Sequence, residues 1–460
     1  MRDGSRSKYG RRVKAPLPIF AETSHHPLPD GQVRLLGAVS AVTGAMTRVE
    51  TGGAALLVDC GIAQGREAAR WRFPEAARDV DAVLLTHAHQ DHVGSLPALL
   101  DGGYAGPIFA TRATLEIAEE VLRDGLRLGG VTRNDAAHLL GRLRELARPL
   151  SYDVATAVPG LDGTVAFREA GHILGSASVD IQTPGARVIC SGDLGRPDSP
   201  ILRDYCELWD ERPVDLVVME STYGDRDHAG THDDVEAELE RIVLRAIAKR
   251  GHILVPAFAI GRTQTLLYHL NTLVEAGRVP HLPVAVDTPM GLRITETYAH
   301  SRRLFDAEAL DRIAHGDEPL DFEGLYAVYR RRDSERLRDV PGPMLVIAGS
   351  GMCTGGRIVG HLCELLPDAS TTVVFTGFQA PGTPGRAIQR AAKREHGAGT
   401  VRLDGEDVVV RASVETLPGL SAHADRGELG RWLRAIPAAR RVALHHGEPD
   451  AQRALRAYLG

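Results

Sequence analysis

The sequence predicts a layered α/β sandwich interrupted by a second α/β domain whose parallel sheet is doubly wound. Three observations carry this expectation. Short apolar runs early in the chain end in Asp or His, most densely in the stretch DAVLLTHAHQDHV at residues 81–93. The middle of the chain repeats a strand, a Gly/Ser/Thr-rich turn and a helix. His and Asp at strand ends return after residue 420, where the first domain would resume.

In the dense stretch, residues 82–85 read as a short buried strand. It runs through Thr86 into H-x-H-x-D-H, that is His87, His89, Asp91 and His92. A strand end fixes the backbone, and the turn after it can fan neutral imidazoles and a carboxylate toward one point. Those are the ligand types that zinc takes. A compositional His tract has neither this alternation of ligand and spacer nor a reason to sit at a strand end.

The other elements follow in order. Residues 1–31 read as a mobile arm, basic at its start (MRDGSRSKYGRRVK) and without the apolar core of a secretory signal. A solvated tail is the simpler account of its charge; contact with a polyanion is the alternative. Residues 32–215 make the first part of the sandwich, 216–385 the inserted domain and 386–460 the completion of the sandwich. QVRLLGAVSAVTG and AALLVDCG are strand-like runs punctuated by Gly. Asp59 ends the second, either as a turn residue before Gly61 or as a carboxylate that orients a metal-bound imidazole. A helix begins over 94–100, and amphipathic spacing predicts helices over 112–128 and 134–146. A strand over 164–169 leads to His172 between glycines, and a strand over 187–190 leads to Asp193. A strand over 214–219 ends at Glu220.

Helices over 235–250 and from 262 to 274 alternate with strands at 253–255, 283–286, 344–347 and 372–375. The turns after these strands read PAFAIGR, DTPMG, GSGMCTGGR and GFQAPGTPGR. Such turns can present backbone N–H groups to phosphate, although a Gly-rich turn is more often only a turn. Arg262 and Arg386 stand beside two of them. The tail carries a strand-like run at 408–412, then LSAHAD with His423 before a helix. A strand over 441–444 ends in His445-His446-Gly447-Glu448.

Composition narrows the class. At 460 residues the chain accommodates two or three domains or one large one. With 43% hydrophobic and 25% charged residues it reads as an ordinary soluble protein. A net charge of -6 excludes a global basic field, so a nucleic acid would need a local basic path. The five cysteines are odd in number and scattered, without a CxxC pair. That suits a reduced, cytoplasmic setting rather than a disulfide scaffold, with Cys60 and Cys190 as inert core residues. No apolar run approaches a membrane span.

In their order, the motifs resemble those of the β-CASP nucleases of the metallo-β-lactamase superfamily, a family that includes ribonuclease J and the mRNA 3′-end cleavage endonuclease. The resemblance runs from Gln32 to Gly460. The early H-x-H-x-D-H carries the superfamily signature. Glu220 in MESTYG, His423 in LSAHAD and His446 in HHGE match motifs A, B and C; His446 is preferred to His445 because it directly precedes Gly-Glu. Without a visible appended KH module or a C-terminal extension like that of ribonuclease J after the last motif, the sequence resembles a minimal bacterial-type member.

The resemblance implies a metallo-β-lactamase αββα sandwich with an inserted doubly wound β-CASP domain. It implies two zinc ions per chain, with manganese as the alternative. His87, His89 and His172 would hold the first, Asp91, His92 and His446 the second, and Asp193 would bridge. Two-metal hydroxide attack on phosphorus would be completed by His423, charged by Glu220, as general acid, with Asp59 orienting ligands. Ser350, Thr354, Arg262 and Arg386 would contact RNA. Motif C histidine points to RNA rather than DNA, and a cleft between two lobes admits a single strand. Cutting would be endonucleolytic, 5′→3′ exonucleolytic or both. The alternatives are a DNA nuclease of the same family, a small-ester metallo-hydrolase and a non-catalytic RNA-processing scaffold. A small ester has a better leaving group and needs no Glu220–His423 acid, and a scaffold would have lost ligands. Sequence preference and oligomeric state are not specified; a homodimer is compatible.

Overall fold

The computed structural model describes residues 19–460 apart from 22, 66, 229–231, 394–398 and 418. Two mixed sheets form the sandwich. The first has seven strands in the order His25–Leu28, Gly31–Gly37, Met46–Thr51, Ala54–Val58, Ala82–Leu84, Ile108–Thr111 and Ala147–Leu150. The second has six, in the order Ile19–Ala21, Arg441–His445, Leu216–Glu220, Arg187–Cys190, Ala177–Gln182 and Thr164–Glu169.

Alternating apolar residues explain the packing. Val33, Val49, Leu56 and Leu84 of the first sheet meet Val165, Phe167, Val179 and Val188 of the second in one buried layer. Outside the second sheet lie the helices Arg426–Ala435 and Pro449–Leu459, anchored by Trp432, Leu429 and Leu455. Outside the first sheet lie Arg112–Leu128 and Arg133–Leu146. Arg112–Leu128 buries a face of Ile117, Val121 and Leu122, and the Thr111 hydroxyl caps its start by accepting from Thr114 N.

The middle of the chain forms a third sheet, parallel throughout, in the order Leu325–Ala327, Val284–Asp287, Met344–Ala348, His252–Pro256, Thr372–Phe375 and Ser413–Thr416. Its four inner strands are buried and mostly apolar because helices cover both faces, whereas the edge strands Leu325–Ala327 and Ser413–Thr416 are partly exposed. One face, with the helix Arg262–Glu275, shares a continuous apolar cluster with the outer helices of the first sheet. Insertion and sandwich therefore pack through a common core.

Three expectations need correcting in detail. The mobile arm expected over 1–31 includes paired strands: Ile19–Ala21 lies parallel to Arg441–His445, and His25–Leu28 is antiparallel to Gly31–Gly37. Residues 1–18 lie outside the described residues. The boundary expected after 385 falls inside the helix Pro384–Ala392, and the inserted sheet takes its last strand from Ser413–Thr416. The strand-like run at 408–412 belongs to a hairpin of Gly399–Leu403 and Glu406–Val410, packed on the insertion. Alternation identifies a strand, but not the sheet that receives it.

Candidate metal centre and active site

The site is assembled at strand ends of both sheets. Ala82–Leu84 delivers Thr86, His87 and His89, and a single helical turn, Gln90–Val93, delivers Asp91 and His92. In the second sheet, His172 follows Thr164–Glu169, Asp193 follows Arg187–Cys190, Glu220 ends its strand, and His446 follows Arg441–His445.

These side chains converge in two groups. His87 Nε2 lies 3.1 Å from His89 Nδ1, which lies 3.2 Å from His172 Nε2. Asp193 Oδ2 is 3.4 Å from His87 Nε2 and 3.6 Å from His172 Nε2. In the second group His446 Nε2 lies 3.3 Å from both His92 Nε2 and Asp91 Oδ2, and Asp193 Oδ1 is 3.3 Å from His92 Nε2. The two oxygens of Asp193 thus face different groups. His87, His89, His172 and Asp193 offer donor atoms within 4.8 Å of one another, as do Asp91, His92 and His446.

The donor set fits a cation. Burial holds His87 down to about 3 and His89 to about 4, and lowers His172 as well, so these imidazoles are neutral. Burial opposes ionisation of Asp91 and Asp193, but the neighbouring imidazoles outweigh it and hold both carboxyls well below the usual range. In the first group neutral nitrogen thus stands beside ionised oxygen, as zinc or manganese ligation requires; in the second, burial opposes charge on His92 but Asp193 and Asp59 outweigh it and raise the ring, which would give up its proton to a cation. Asp193 Oδ1 is buried without a hydrogen-bond partner, a costly position that a cation would satisfy.

Surrounding groups fix the ring orientations. Asp59 accepts hydrogen bonds from Thr86 N and Thr86 Oγ1, both at 2.8 Å, and its Oδ2 lies 2.8 Å from His92 Nδ1. His172 Nδ1–H donates to Ala422 O at 2.9 Å, leaving Nε2 for the centre. Beside the two groups, His423 Nδ1 lies 3.3 Å from Glu220 Oε1 and 3.9 Å from Asp193 Oδ2. Burial disfavours charge on His423, but Glu220 outweighs it and lifts the ring to about 9, so it carries a proton at neutral pH. Glu220 is held in turn by Leu194 N at 2.6 Å.

His446 rather than His445 faces the centre: His445 Nε2 donates to Gly37 O at 2.8 Å. The four expected RNA contacts lie on the inserted domain. Ser350 Oγ accepts from Thr354 N at 3.0 Å; Arg386 is exposed on the helix Pro384–Ala392. Arg262 donates to Thr376 O, and burial lowers its guanidinium to about 10.

Three supporting residues escaped sequence reasoning. Thr86 Oγ1 lies 3.0 Å from His87 Nδ1, Thr222 Oγ1 lies 3.2 Å from His446 Nδ1, and His228 Nε2 donates to His423 O at 2.9 Å. Thr86 stands next to the motif and Thr222 two residues after Glu220, so adjacency was the available signal. His228, in the stretch GDRDHAG, had none.

Family models match in the order the fold displays: metallo-beta-lactamase superfamily over residues 40–257, Beta-Casp domain over 263–388, and Zn-dependent metallo-hydrolase RNA specificity domain over 407–460. The chain is 40% identical to "Ribonuclease TTHA0252" of Thermus thermophilus, covering 91% of this chain and 94% of that protein. It belongs to the β-CASP family of the metallo-β-lactamase superfamily. This β-CASP chain is also 29% identical to "Transcription termination factor FttA" of Methanocaldococcus jannaschii, over 91% of this chain and 67% of that protein. A crystal structure of a protein of unknown function from Enterococcus faecalis shares the fold, with a TM-score of 0.52 at 12% identity over 90% of this chain and 93% of that one. Membership places the β-CASP chain among metal-dependent hydrolases. No helix among the described residues is long and apolar enough to cross a membrane.

Proposed function

We propose that this chain is a two-zinc ribonuclease that hydrolyses phosphodiester bonds of single-stranded RNA, cutting internally, 5′→3′ from an end, or both. One observation carries the reading: the two oxygens of Asp193 face two groups of candidate ligands, and His423, paired with Glu220, lies against Asp193. The similarity to a protein named ribonuclease and the match to an RNA specificity domain support RNA as the polymer.

His87, His89 and His172 would hold one metal, Asp91, His92 and His446 the other, and Asp193 would bridge them. When bound, such a pair supplies a nucleophile at neutral pH and offsets charge on phosphorus. The chain's own residues do the rest. Asp59 keeps His92 oriented through its Nδ1, and the Ala422 carbonyl does the same for His172. Glu220 faces His423 Nδ1 and stabilises the imidazolium, leaving Nε2–H to protonate the departing sugar oxygen. That group is a poor leaving group, so a positioned acid has a purpose here that it would lack in a small-ester hydrolase. Ser350 and Thr354, in a turn of the inserted sheet, and Arg262 and Arg386, in the first turns of two of its helices, would contact the strand's phosphates.

The test is a time course on 5′-labelled and internally labelled single-stranded RNA with matched DNA, with and without chelator. Chelator-sensitive cleavage of RNA is expected. His423→Ala should retain its metal and lose about 10²–10⁴-fold in rate. Early mononucleotides indicate an exonuclease and early intermediate fragments an endonuclease. Metal-loaded protein that leaves RNA intact, or His423→Ala cleaving at the wild-type rate, overturns the corresponding part of the reading.

A further inference from the structure

His252–Pro256, flanked by Met344–Ala348 and Thr372–Phe375, is central in the parallel inserted sheet. The carboxyl ends of these three strands open into turns, the edge at which open α/β sheets bind ligands. The turns are tied to one another. Ala257 N donates to Ala348 O at 3.0 Å, Gln379 Nε2 to Gly351 O at 3.0 Å, Gly385 N to Met352 O at 3.1 Å, and Arg262 Nη1 to Thr376 O.

This well-tied edge leaves two large apolar rings in solvent. Phe258 is 46% exposed and Phe378 is 56% exposed; no other phenylalanine among the described residues is exposed. Neither side chain belongs to a buried core cluster; the Phe258 ring lies against Gly351, where a Cβ would come within 2.8 Å of it, and the rest of its surface is open to solvent. Between their turns stands the guanidinium of Arg262, which pairs with no carboxylate among the described residues. The edge also adjoins the metal centre. Gly261 approaches the His172 loop so closely that a Cβ there would lie 3.1 Å from Ile173 Cγ2. Arg262 lies within electrostatic range of Tyr223, whose ring centroid is 6.0 Å from that of His423.

Flat apolar faces beside a cation without a counter-charge match an anionic backbone whose repeating unit carries a flat ring. We propose that Phe258 and Phe378 form a stacking platform for unpaired bases of the RNA strand, with Arg262 taking a neighbouring phosphate. The inference rests on the ribonuclease reading and names how that site selects its strand. Every base has a π-face, so the platform tolerates any sequence. Bases in a duplex already stack on each other and cannot use it, so the platform favours a single strand.

The test compares wild type, Phe258→Ala, Phe378→Ala and Phe258→Trp, with thermal melting to show that each is folded. Binding is read by fluorescence anisotropy on two labelled probes: an RNA oligomer, and an oligomer of the same ribose-phosphate backbone with abasic residues. Each alanine variant should bind RNA about 5- to 100-fold more weakly, the range of single-ring stacking losses. Phe258→Trp should restore binding, and all four proteins should bind the abasic probe alike. Unchanged RNA affinity in both alanine variants, or equal losses on the abasic probe, overturns the platform. Cleavage of RNA in the same samples keeps the two readings apart. If wild type cleaves RNA and the variants bind it normally, only the platform fails. If wild type neither binds nor cleaves RNA, both fail.

Discussion

Asp59 shows how much a single carboxylate outside the donor groups can decide. Its two oxygens accept from Thr86 and approach His92 Nδ1, so it locks both the loop entry and one ring. Removing such a partner typically lowers metal affinity about 10- to 100-fold. Asp59→Ala should show that loss in a zinc titration followed by calorimetry; affinity equal to wild type would mean that His92 is oriented by other contacts. The converging residues were legible where the sequence clusters them, as in H-x-H-x-D-H, or places them at successive strand ends, as with Asp193 and Glu220. His228 was not legible, because it supports His423 across almost two hundred residues of chain through a backbone carbonyl. Nothing local marks such a contact.

At the scale of elements, the strand Arg187–Cys190 carries Asp193 into the centre, and a buried ion pair fixes where that strand sits. Arg187 Nε and Nη2 donate to Asp180 on the adjacent strand at 3.0 and 2.8 Å, and Nη1 donates to Asp210 at 2.7 Å. Arg187 and Asp180 are both fully buried. Asp180→Ala would leave the guanidinium without its buried partner, at a cost of about 3–5 kcal/mol. A lower urea midpoint checks this; an unchanged midpoint would mean that Asp210 and the Arg212 carbonyl suffice. Long amphipathic helices such as Arg112–Leu128 were readable, because their apolar stripe repeats over several turns. The four-residue edge strand Ala147–Leu150 was not. A run of ARPL carries no alternation, and its pairing with Ile108–Thr111 defines it.

Across the whole molecule, the proposed ligands come from both sheets: His87, His89, Asp91 and His92 from the first, His172, Asp193 and His446 from the second. Bound metal would therefore cross-link the two halves of the sandwich. Free ligand at 100 times its dissociation constant adds about 2.7 kcal/mol to stability. Chelator should lower the melting temperature of wild type and leave that of Asp193→Ala unmoved, as read by differential scanning fluorimetry. Equal shifts in both would place the stabilising metal elsewhere. The insertion is coupled to this framework through one apolar cluster that runs from Ile117 and Val121 to Leu266 and Leu270.

By itself the sequence determined the class of hydrolase and the class of fold. Metal-ligand residue types, their spacing and their position after apolar runs are local properties, and so is the alternation of strand and helix. Tertiary structure alone decided that Arg441–His445 inserts between Ile19–Ala21 and Leu216–Glu220, carrying His446 to a centre begun more than 350 residues earlier. It also decided that Ser413–Thr416 joins the inserted sheet rather than the sandwich. Backbone pairing is nearly blind to side-chain identity, so a strand's neighbours are chosen by which buried faces fit together.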